Sequence, residues 1–564
     1  MPNVKLPWIL GISASHNGAA CLLRGDEVFV AVQEERLTRV KRQWIYGSKS
    51  SMAVAYCLSF AGIRPEDLSC VVLSVTGWAN DVRHNLLKNP QLQVARNRLA
   101  TILLPHHYAH AMSAFATSGF SESAVLVVDG VGSPLEDMFE EERKAATRRV
   151  EHGAETISLY AARGATLVPL EKHLADYGAW LTMRNEGMPW FASLGGMYSA
   201  VAVQVFNNAM EAGKVMGLAP YGSPDVPAKT FFEIEKHGFK FSRLLPAAYG
   251  HDDRWPLRKQ QYENLACSVQ AALEDALMHL LGRLRRLYPS DNLCYAGGVA
   301  LNSVANERII RESGFKRVHI TPAAEDSGAA IGAAYYGLWR LTGQNTRRRM
   351  VDDACGRPYS RESISLAIQN SGRRVRWVES SDTIADAVDL LCDGKMIGWF
   401  DGRSEIGPRA LGQRSILCDP RRASHREILN RKVKKREAFR PFAPVILLEK
   451  AAEWFETDST APESPFMLRV IKFRPEKQAL VPTVVHVDGT GRLQTVTPEA
   501  NGRFYDLVRR FYQKTGLPIL LNTSFNVMGE PIVETPTDAI ACLLSTGLDC
   551  CVFEDRIVFK YVDW

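Results

Sequence analysis

The 564-residue chain has no CxxC pair, no apolar run approaching ~18 residues and no marked charge imbalance. Each absence removes a class of protein. The 11 cysteines are scattered, with only Cys550 and Cys551 close together, which excludes a disulfide framework or zinc ribbon. That usage predicts reduced thiols in a cytoplasmic protein. The opening "MPNVKLPWILGISASHNGAACLL" is apolar, but Ser, His and Asn interrupt it and its alternation favours a strand. It reads as neither a signal peptide nor a membrane span. The chain carries 68 Lys and Arg against 62 Asp and Glu, a formal charge of +6. Spread along the sequence, that excess predicts neither a nucleic-acid nor a membrane partner. What is present is ordinary for a globular protein, 46% hydrophobic and 23% charged, in a chain too long for one core. One strongly basic run, "NRKVKKREAFR" (430–440), stands out.

The first stretch reads as three strands separated by Gly or Asn-Gly turns: "WILGISA", "GAACLLRG" and "EVFVAVQEE". A similar pattern returns at "SAVLVVDGVGS" and resumes at "ETISLYAARGATLVPLEK". Between them, "PLEDMFEEERKAATRRVEH" has the composition of a solvated loop or exposed helix. Two such meanders, each followed by helical sequence, predict the duplicated α/β architecture of actin and the sugar kinases, with a nucleotide or phosphate between the halves. Helical periodicity spans 262–287, and "NLCYAGGVALNSVANERII" runs from strand through Gly-Gly into helix. Residues 337–360 lose their periodicity, which places a domain boundary near 350. The predicted domains are 1–350 and 351–564, the second mixing strands ("KMIGWF", "LPILLNTSF", "CCVFEDRIVFKYV") with helices ("TIADAVDLLCDG", "FYDLVRRFYQKTG").

Three histidines fall within "PHHYAH". His106 and His110, four apart, share a helical face and could ligate one cation. His107 occupies the place of a zinc peptidase's Glu base, so that mechanism is missing. Alone, the pair is explained more simply by helix-start histidines making core hydrogen bonds. Two carboxylates change that balance. Asp129 ends the strand "AVLVVDG", and Asp326 precedes the small-residue run of "EDSGAAIGAA", although Asp-Gly turns and Asp N-caps account for them too. "AGGVALN", with Gly297, Gly298 and Asn302, could cradle phosphates, as could "SGAAIGAA"; close helix packing explains small residues equally. Lys214 sits among glycines in "GKVMGLAPYG" without Walker A spacing, and His16 in "SASHNGAA" occupies the first hairpin turn. In the second domain "DGRSEIGPRALGQRS" carries Arg403, Arg409 and Arg414. With Lys434 and Arg440 beside "FRPFAP", they offer donors for a polyanion, and "LNTSFNVMGEPIV" could form its rim.

Together these pieces resemble the bacterial O-carbamoyltransferases of antibiotic tailoring and nodulation-factor modification. The resemblance runs from "LGISASHNGAACLL" and "QEERLTRVK" through "HHYAH", "VVDG", "GKVMGLAPYG" and "AGGVALN". It is most specific in "GRSEIGPRALGQRS", "FRPFAP" and "LNTSFN". It implies an actin-like amino-terminal domain similar to the tRNA threonylcarbamoyl transfer protein, and a carboxy-terminal adenylate-forming domain. It implies that the second domain makes carbamoyl adenylate from carbamoyl phosphate and ATP (with Mg²⁺), and that the first transfers the carbamoyl group to an alcohol. Arg409, Arg414, Lys434, Arg440, Arg492 and Asn522 would then contact phosphates, Arg440 with a catalytic part. Lys214, Gly297, Gly298 and Asn302 would serve nucleotide in the first domain. His106, His110, Asp129 and Asp326 match the family's metal ligands, with iron implied and zinc or manganese permitted by mixed His/carboxylate ligation. His16 matches a histidine that assists transfer, and Lys41 a lysine near the same cleft. Asn17 stands where an Asp is common, and Met210 where some members carry an acid that Glu211 could replace. The implied acceptor is a small hydroxylated natural product, and a homodimer is the expected state. Two rivals remain open at this point: a fused tRNA-modifying enzyme, and an actin-fold ATPase without transfer chemistry.

Overall fold

A computed structural model describes residues 6–45, 50–75, 100–148, 150, 153–175, 192–236, 238–242, 253–343, 347–457 and 462–561. Arg149, Glu151 and His152 of the charged insertion, and 344–346 of the aperiodic stretch, lie outside them. The chain forms two compact units, one of residues 1–34 and 42–350, the other of 35–41 and 351–564.

The first unit repeats one topology. Strands β1 (Trp8–Ala14), β2 (Ala19–Arg24), β3 (Glu27–Gln33), β4 (Cys70–Val75) and β5 (Ala100–Leu104) lie in the order β3-β2-β1-β4-β5. Strands β6 (Glu122–Val128), β7 (Ala154–Arg163), β8 (Thr166–Ala175), β11 (Asn292–Ala296) and β12 (Arg317–Ile320) lie in the order β8-β7-β6-β11-β12. Each sheet is an antiparallel meander extended beyond its first strand by two successive parallel strands, which is the duplicated actin-like architecture. A small hairpin, β9 (Phe232–Glu235) with β10 (Gly238–Phe241), stands apart from both sheets. The central strands read as continuous apolar runs because both their faces are covered; β6 is buried throughout Ser123–Val128.

Helix His106–Ala116 crosses helix Asp326–Thr342 at small residues. A Cβ on Gly332 would lie 1.9 Å from the Ala109 carbonyl oxygen. The run "SGAAIGAA" is therefore taken up by packing rather than by phosphate.

The charged insertion holds a short helix that is exposed as expected at Glu140, Glu141, Arg143 and Lys144, with one exception. Glu142, in the helix Glu140–Lys144, is fully buried, 2.6 Å from Lys172 Nζ. Lys172 also pairs with Glu155 and donates to Tyr160 Oη at 2.8 Å. Composition missed this because the partner cation comes from β8. Lys172→Met would leave two buried carboxylates uncompensated, and is expected to cost about 3–5 kcal/mol. An earlier urea transition would report it, with partial recovery in Glu142→Gln/Lys172→Met; an unchanged midpoint in the single variant would contradict the network.

The second unit is built on β13 (Val375–Glu379), β14 (Ile397–Phe400), β15 (Arg414–Cys418), β16 (Ala443–Leu447), β17 (Arg469–Lys472), β18 (Thr490–Val496), β19 (Ile519–Ser524), β20 (Cys550–Val552) and β21 (Arg556–Lys560). They form one mixed sheet in the order β13-β21-β20-β14-β15-β19-β16-β18-β17. "CCVFEDRIVFKYV" resolves into the hairpin β20–β21, and helices Thr383–Cys392 and Pro498–Thr515 occur where periodicity predicts them. All eleven cysteines are free. No described helix is long and apolar enough to cross a membrane.

Candidate functional sites

In the first unit, three elements converge on one buried point. Pro105 opens helix His106–Ala116, and side chains capture its first N–H groups. His106 N–H donates to Ser133 Oγ at 2.9 Å and His107 N–H to Glu155 Oε1 at 2.9 Å. Asp129 follows β6, its N–H bonded to the Thr156 carbonyl at 3.0 Å. Asp326 begins helix Asp326–Thr342, which Glu325 caps. Val127 of β6 pairs with Ala296 of the parallel β11, so Asp129 and Gly297 leave the sheet together at its carboxyl end. Gly297 (φ +94°) is required there, since a Cβ would lie 2.2 Å from the Val128 carbonyl oxygen. A Cβ on Gly298 would lie 3.0 Å from Asp129 Oδ1.

His106 Nε2 and His110 Nε2 are 3.1 Å apart. Asp129 Oδ2 lies 3.5 and 3.2 Å from them, and Asp326 Oδ1 3.3 and 3.5 Å. These separations match the ~3.3 Å edge of a tetrahedron whose bonds are about 2.0–2.1 Å. All four residues are buried, and Asp129 Oδ2 has no hydrogen-bond partner. Two imidazole nitrogens turned on each other between two carboxylates fit a single cation. Burial alone would lower the His106 imidazole, but Asp326 and Asp129 outweigh it and raise its pKa to about 10. The site thus favours positive charge at its centre. Ser74 Oγ lies 3.4 Å from His106 Nδ1 and helps to orient the ring.

His16 Nδ1 stands 3.1 Å from Asp326 Oδ2, so this one carboxylate faces both the histidine pair and His16. Burial opposes charge on His16, but Asp326 outweighs it and its pKa is raised. Asn17 Nδ2 donates to Glu325 Oε2 at 3.0 Å, beside the same helix start. His107 is different. Its Nδ1 is 2.7 Å from Ser158 Oγ and burial pushes its pKa down to about 3, so it is a neutral structural neighbour.

Other candidates in this unit have structural partners. Asn302 Oδ1 caps helix Ser303–Glu312, and its amide exchanges hydrogen bonds of 2.9 and 3.1 Å with Gln270. Lys214 Nζ lies 3.3 Å from Glu211 Oε1 and over the Phe206 ring. Lys41 groups with the second unit, where Nζ lies 3.5 Å from the Glu530 carbonyl oxygen.

The second unit sorts its cations into two kinds. Arg414 is fully buried, and its guanidinium donates to the carbonyls of Asp401 (2.6 Å), Gln413 (3.0 Å), Gly402 (3.3 Å) and Glu534 (3.4 Å) while lying over Phe400. Lys434 Nζ donates to Ser524 and Asn526, at 2.6 Å to Asn526 Oδ1. Arg403 donates to the Gly356 and Cys355 carbonyls. These three are framework cations rather than free phosphate donors.

Arg409 and Arg492 are of the other kind: Nε of each is buried without a hydrogen-bond partner. Burial and then Arg440 lower Arg409 to about 10, and burial with Arg409, Arg436 and Arg440 lowers Arg492 strongly. Arg436, which the sequence reading passed over within the basic run, is lowered to about 9 by burial and Arg440, but it is a framework cation, its Nε donating to Asn430 Oδ1 at 2.8 Å and Nη2 to the Pro441 carbonyl at 3.1 Å. Gln494, likewise unforeseen, shares a face of β18 with Arg492. Its Nε2 donates to the Leu411 carbonyl at 2.7 Å, and Asn522 Nδ2 donates to Gln494 Oε1 at 2.8 Å and to the Ala410 carbonyl at 3.1 Å. Asn522 Oδ1 is buried without a partner. The arrangement is a set of half-buried guanidiniums, raising one another's cost of charge, beside an amide shelf; it suits a polyanion.

Residues 8–101 and 91–335 match the family model described as carbamoyltransferase N-terminus, and 388–560 the one described as carbamoyltransferase C-terminus. Nodulation protein NolNO of Sinorhizobium fredii is 33% identical over 580 residues, covering 97% of this chain and 79% of its own. A 3'-hydroxymethylcephem-O-carbamoyltransferase of Amycolatopsis lactamdurans is 31% identical over 349 residues, 61% of this chain and 64% of its own. Among solved structures, full-length HypF in its phosphate- and nucleotide-bound form aligns with a TM-score of 0.38 at 12% identity, over 60% of this chain and 56% of its own.

Proposed function

Because the chain belongs to the carbamoyltransferase family and is an O-carbamoyltransferase, we propose that it works through carbamoyl adenylate in two sites. In the carboxy-terminal unit carbamoyl phosphate is hydrolysed to carbamate and phosphate. A carbamate oxygen then attacks the α-phosphorus of ATP and pyrophosphate leaves. Carbamate alone is a poor acyl donor because its oxygen leaves badly; AMP is a far better leaving group. Arg409, Arg492 and Arg440 would meet the charge that builds on the α,β-bridging oxygen as its bond to the α-phosphorus breaks and it leaves with pyrophosphate. The observation that carries this reading is the pair of half-buried arginines, Arg409 and Arg492, whose buried Nε atoms lack a protein partner.

In the amino-terminal unit an acceptor hydroxyl attacks the carbamoyl carbon, the bond to the adenylate oxygen breaks, and AMP departs. With Nδ1 turned to Asp326, neutral His16 presents Nε2 as the base that takes the hydroxyl proton. His106, His110, Asp129 and Asp326 would hold a cation, iron by family likeness, and such an ion supplies Lewis acidity toward a phosphate oxygen. The acceptor class we assign is a small-molecule alcohol, in keeping with the name of the cephem relative.

The test follows pyrophosphate in purified protein given MgATP with and without carbamoyl phosphate. Release that requires carbamoyl phosphate, with AMP appearing only when an alcohol is carbamoylated, is the expected result. Release that instead requires threonine and bicarbonate would overturn it in favour of tRNA modification.

A further inference from the structure

The motif "QEERLTRVK" lies between β3 and helix Met52–Ala61 in the chain, yet residues 35–41 of it belong to the carboxy-terminal unit. What they touch there is informative. Arg36, 1% exposed, donates from Nη2 to the Gly407 carbonyl at 2.9 Å. Gly407 has φ +103° and stands two residues before Arg409. The same loop is tied to itself by Glu405, whose Oε1 accepts from the N–H groups of Leu411 (2.9 Å), Gln413 (2.8 Å) and Arg414 (3.1 Å). Its start is bonded to Asp353 by Ile406 N–H at 2.8 Å. Burial, then Glu405 and Asp352, push the Asp353 carboxyl well up, and the Arg36 charge acts against them.

Arg39 and Lys41 reach a second loop. Arg39 donates to the carbonyls of Ile532 (2.7 Å) and Pro531 (2.8 Å), with Asp538 Oδ1 3.8 Å from its Nε. Lys41 Nζ lies 3.5 Å from the Glu530 carbonyl oxygen, which also accepts from Asn526 Nδ2 at 2.7 Å. Asn526 in turn seats Lys434, and Met528 N–H bonds the Lys434 carbonyl at 3.1 Å.

We infer that residues 35–41 are a positioning strap of the carboxy-terminal anion pocket, Arg36 setting the loop that carries Arg409, and Arg39 the loop that seats the framework Lys434 and with it the basic run carrying Arg440. The carbonyls they bind belong to backbone outside β-ladder pairing, so a guanidinium fixes each loop where regular structure does not. The strap rests on the reading of that pocket as the ATP site. Arg36 and Arg39 are positioning residues in this reading; they act through Arg409 and, by way of Lys434, through the run that carries Arg440.

The experiment uses the full chain with Arg36→Met, Arg39→Met and Arg39→Lys. It measures ATP affinity by calorimetry and the KM and kcat of pyrophosphate release, at a temperature where thermal scans show every variant folded. Both Met variants are expected to bind ATP at least tenfold more weakly, with a matching rise in KM for ATP. Arg39→Lys should recover part of the loss, since an ammonium can still reach one of the two carbonyls. Wild-type affinity and KM in folded variants would overturn the strap, as would a loss that only tracks the unfolded fraction. A wild-type chain that binds ATP in a strap-sensitive manner but releases no pyrophosphate would sink the adenylation reading and support the strap. A wild-type chain that binds no ATP would overturn both.

Discussion

Arg409→Met is expected to lower carbamoyl-phosphate-dependent pyrophosphate release by about 10²–10³-fold without destabilising the protein. The reasoning turns on the sign of the electrostatics. Burial and Arg440 already hold the Arg409 guanidinium down to about 10, so its charge is costly in the ligand-free protein. Its Nε has no hydrogen-bond partner to lose, and methionine fills most of the same volume. Removing the charge relieves its neighbours, which should leave the unfolding midpoint unchanged or higher. Arg414→Met should behave in the opposite way. It strands the carbonyls of Asp401, Gln413, Gly402 and Glu534, so it should lower stability first and activity as a consequence. Thermal scans and steady-state pyrophosphate assays on the two variants distinguish the roles. A destabilised Arg409→Met with normal kcat and KM would mean that this arginine, too, is framework.

The contrast between these two arginines shows where sequence reading reaches and where it stops. Periodicity found both meanders because strand alternation and glycine turns are local signals, and the shared strand order bears the duplication out. Local signals could also pick out His106 and His110 as a pair, since four-residue spacing places them on one helix face. They could not say which basic residues of "GRSEIGPRALGQRS" face a ligand. Arg409 and Arg414 have the same chemistry, and only the packing of Phe400 and four carbonyls commits one of them. Gln494 was illegible for a related reason: its role depends on Asn522 of β19, which lies beyond β16 in the sheet, in a register that no local pattern encodes. The strap was illegible because a seven-residue segment joined a unit that begins more than 300 residues later. Within the exposed charged insertion, Glu142 alone was illegible in the reverse direction, since the cation it pairs with lies on β8.

His110→Ala is expected to abolish carbamoyl transfer and reduce tightly bound metal from about one ion per chain to near zero, while pyrophosphate release persists. His110 contributes Nε2 to the four-donor cluster, and three remaining donors hold an ion far less tightly. The adenylation chemistry assigned to Arg409 and Arg492 uses none of these residues, so the two half-reactions should separate cleanly. Asp326 sharpens the expectation, because its Oδ1 faces the histidine pair and its Oδ2 faces His16. Asp326→Asn should therefore lose metal and transfer together. His16→Ala should keep the metal and lose only transfer, by about 10²–10⁴-fold, the usual worth of a general base. Elemental analysis beside acceptor carbamoylation and pyrophosphate assays decides among these outcomes. Full metal content in His110→Ala would remove it from the ligand set. Metal loss in His16→Ala would instead make His16 part of the cation's shell, and the hydroxyl proton would then need another acceptor.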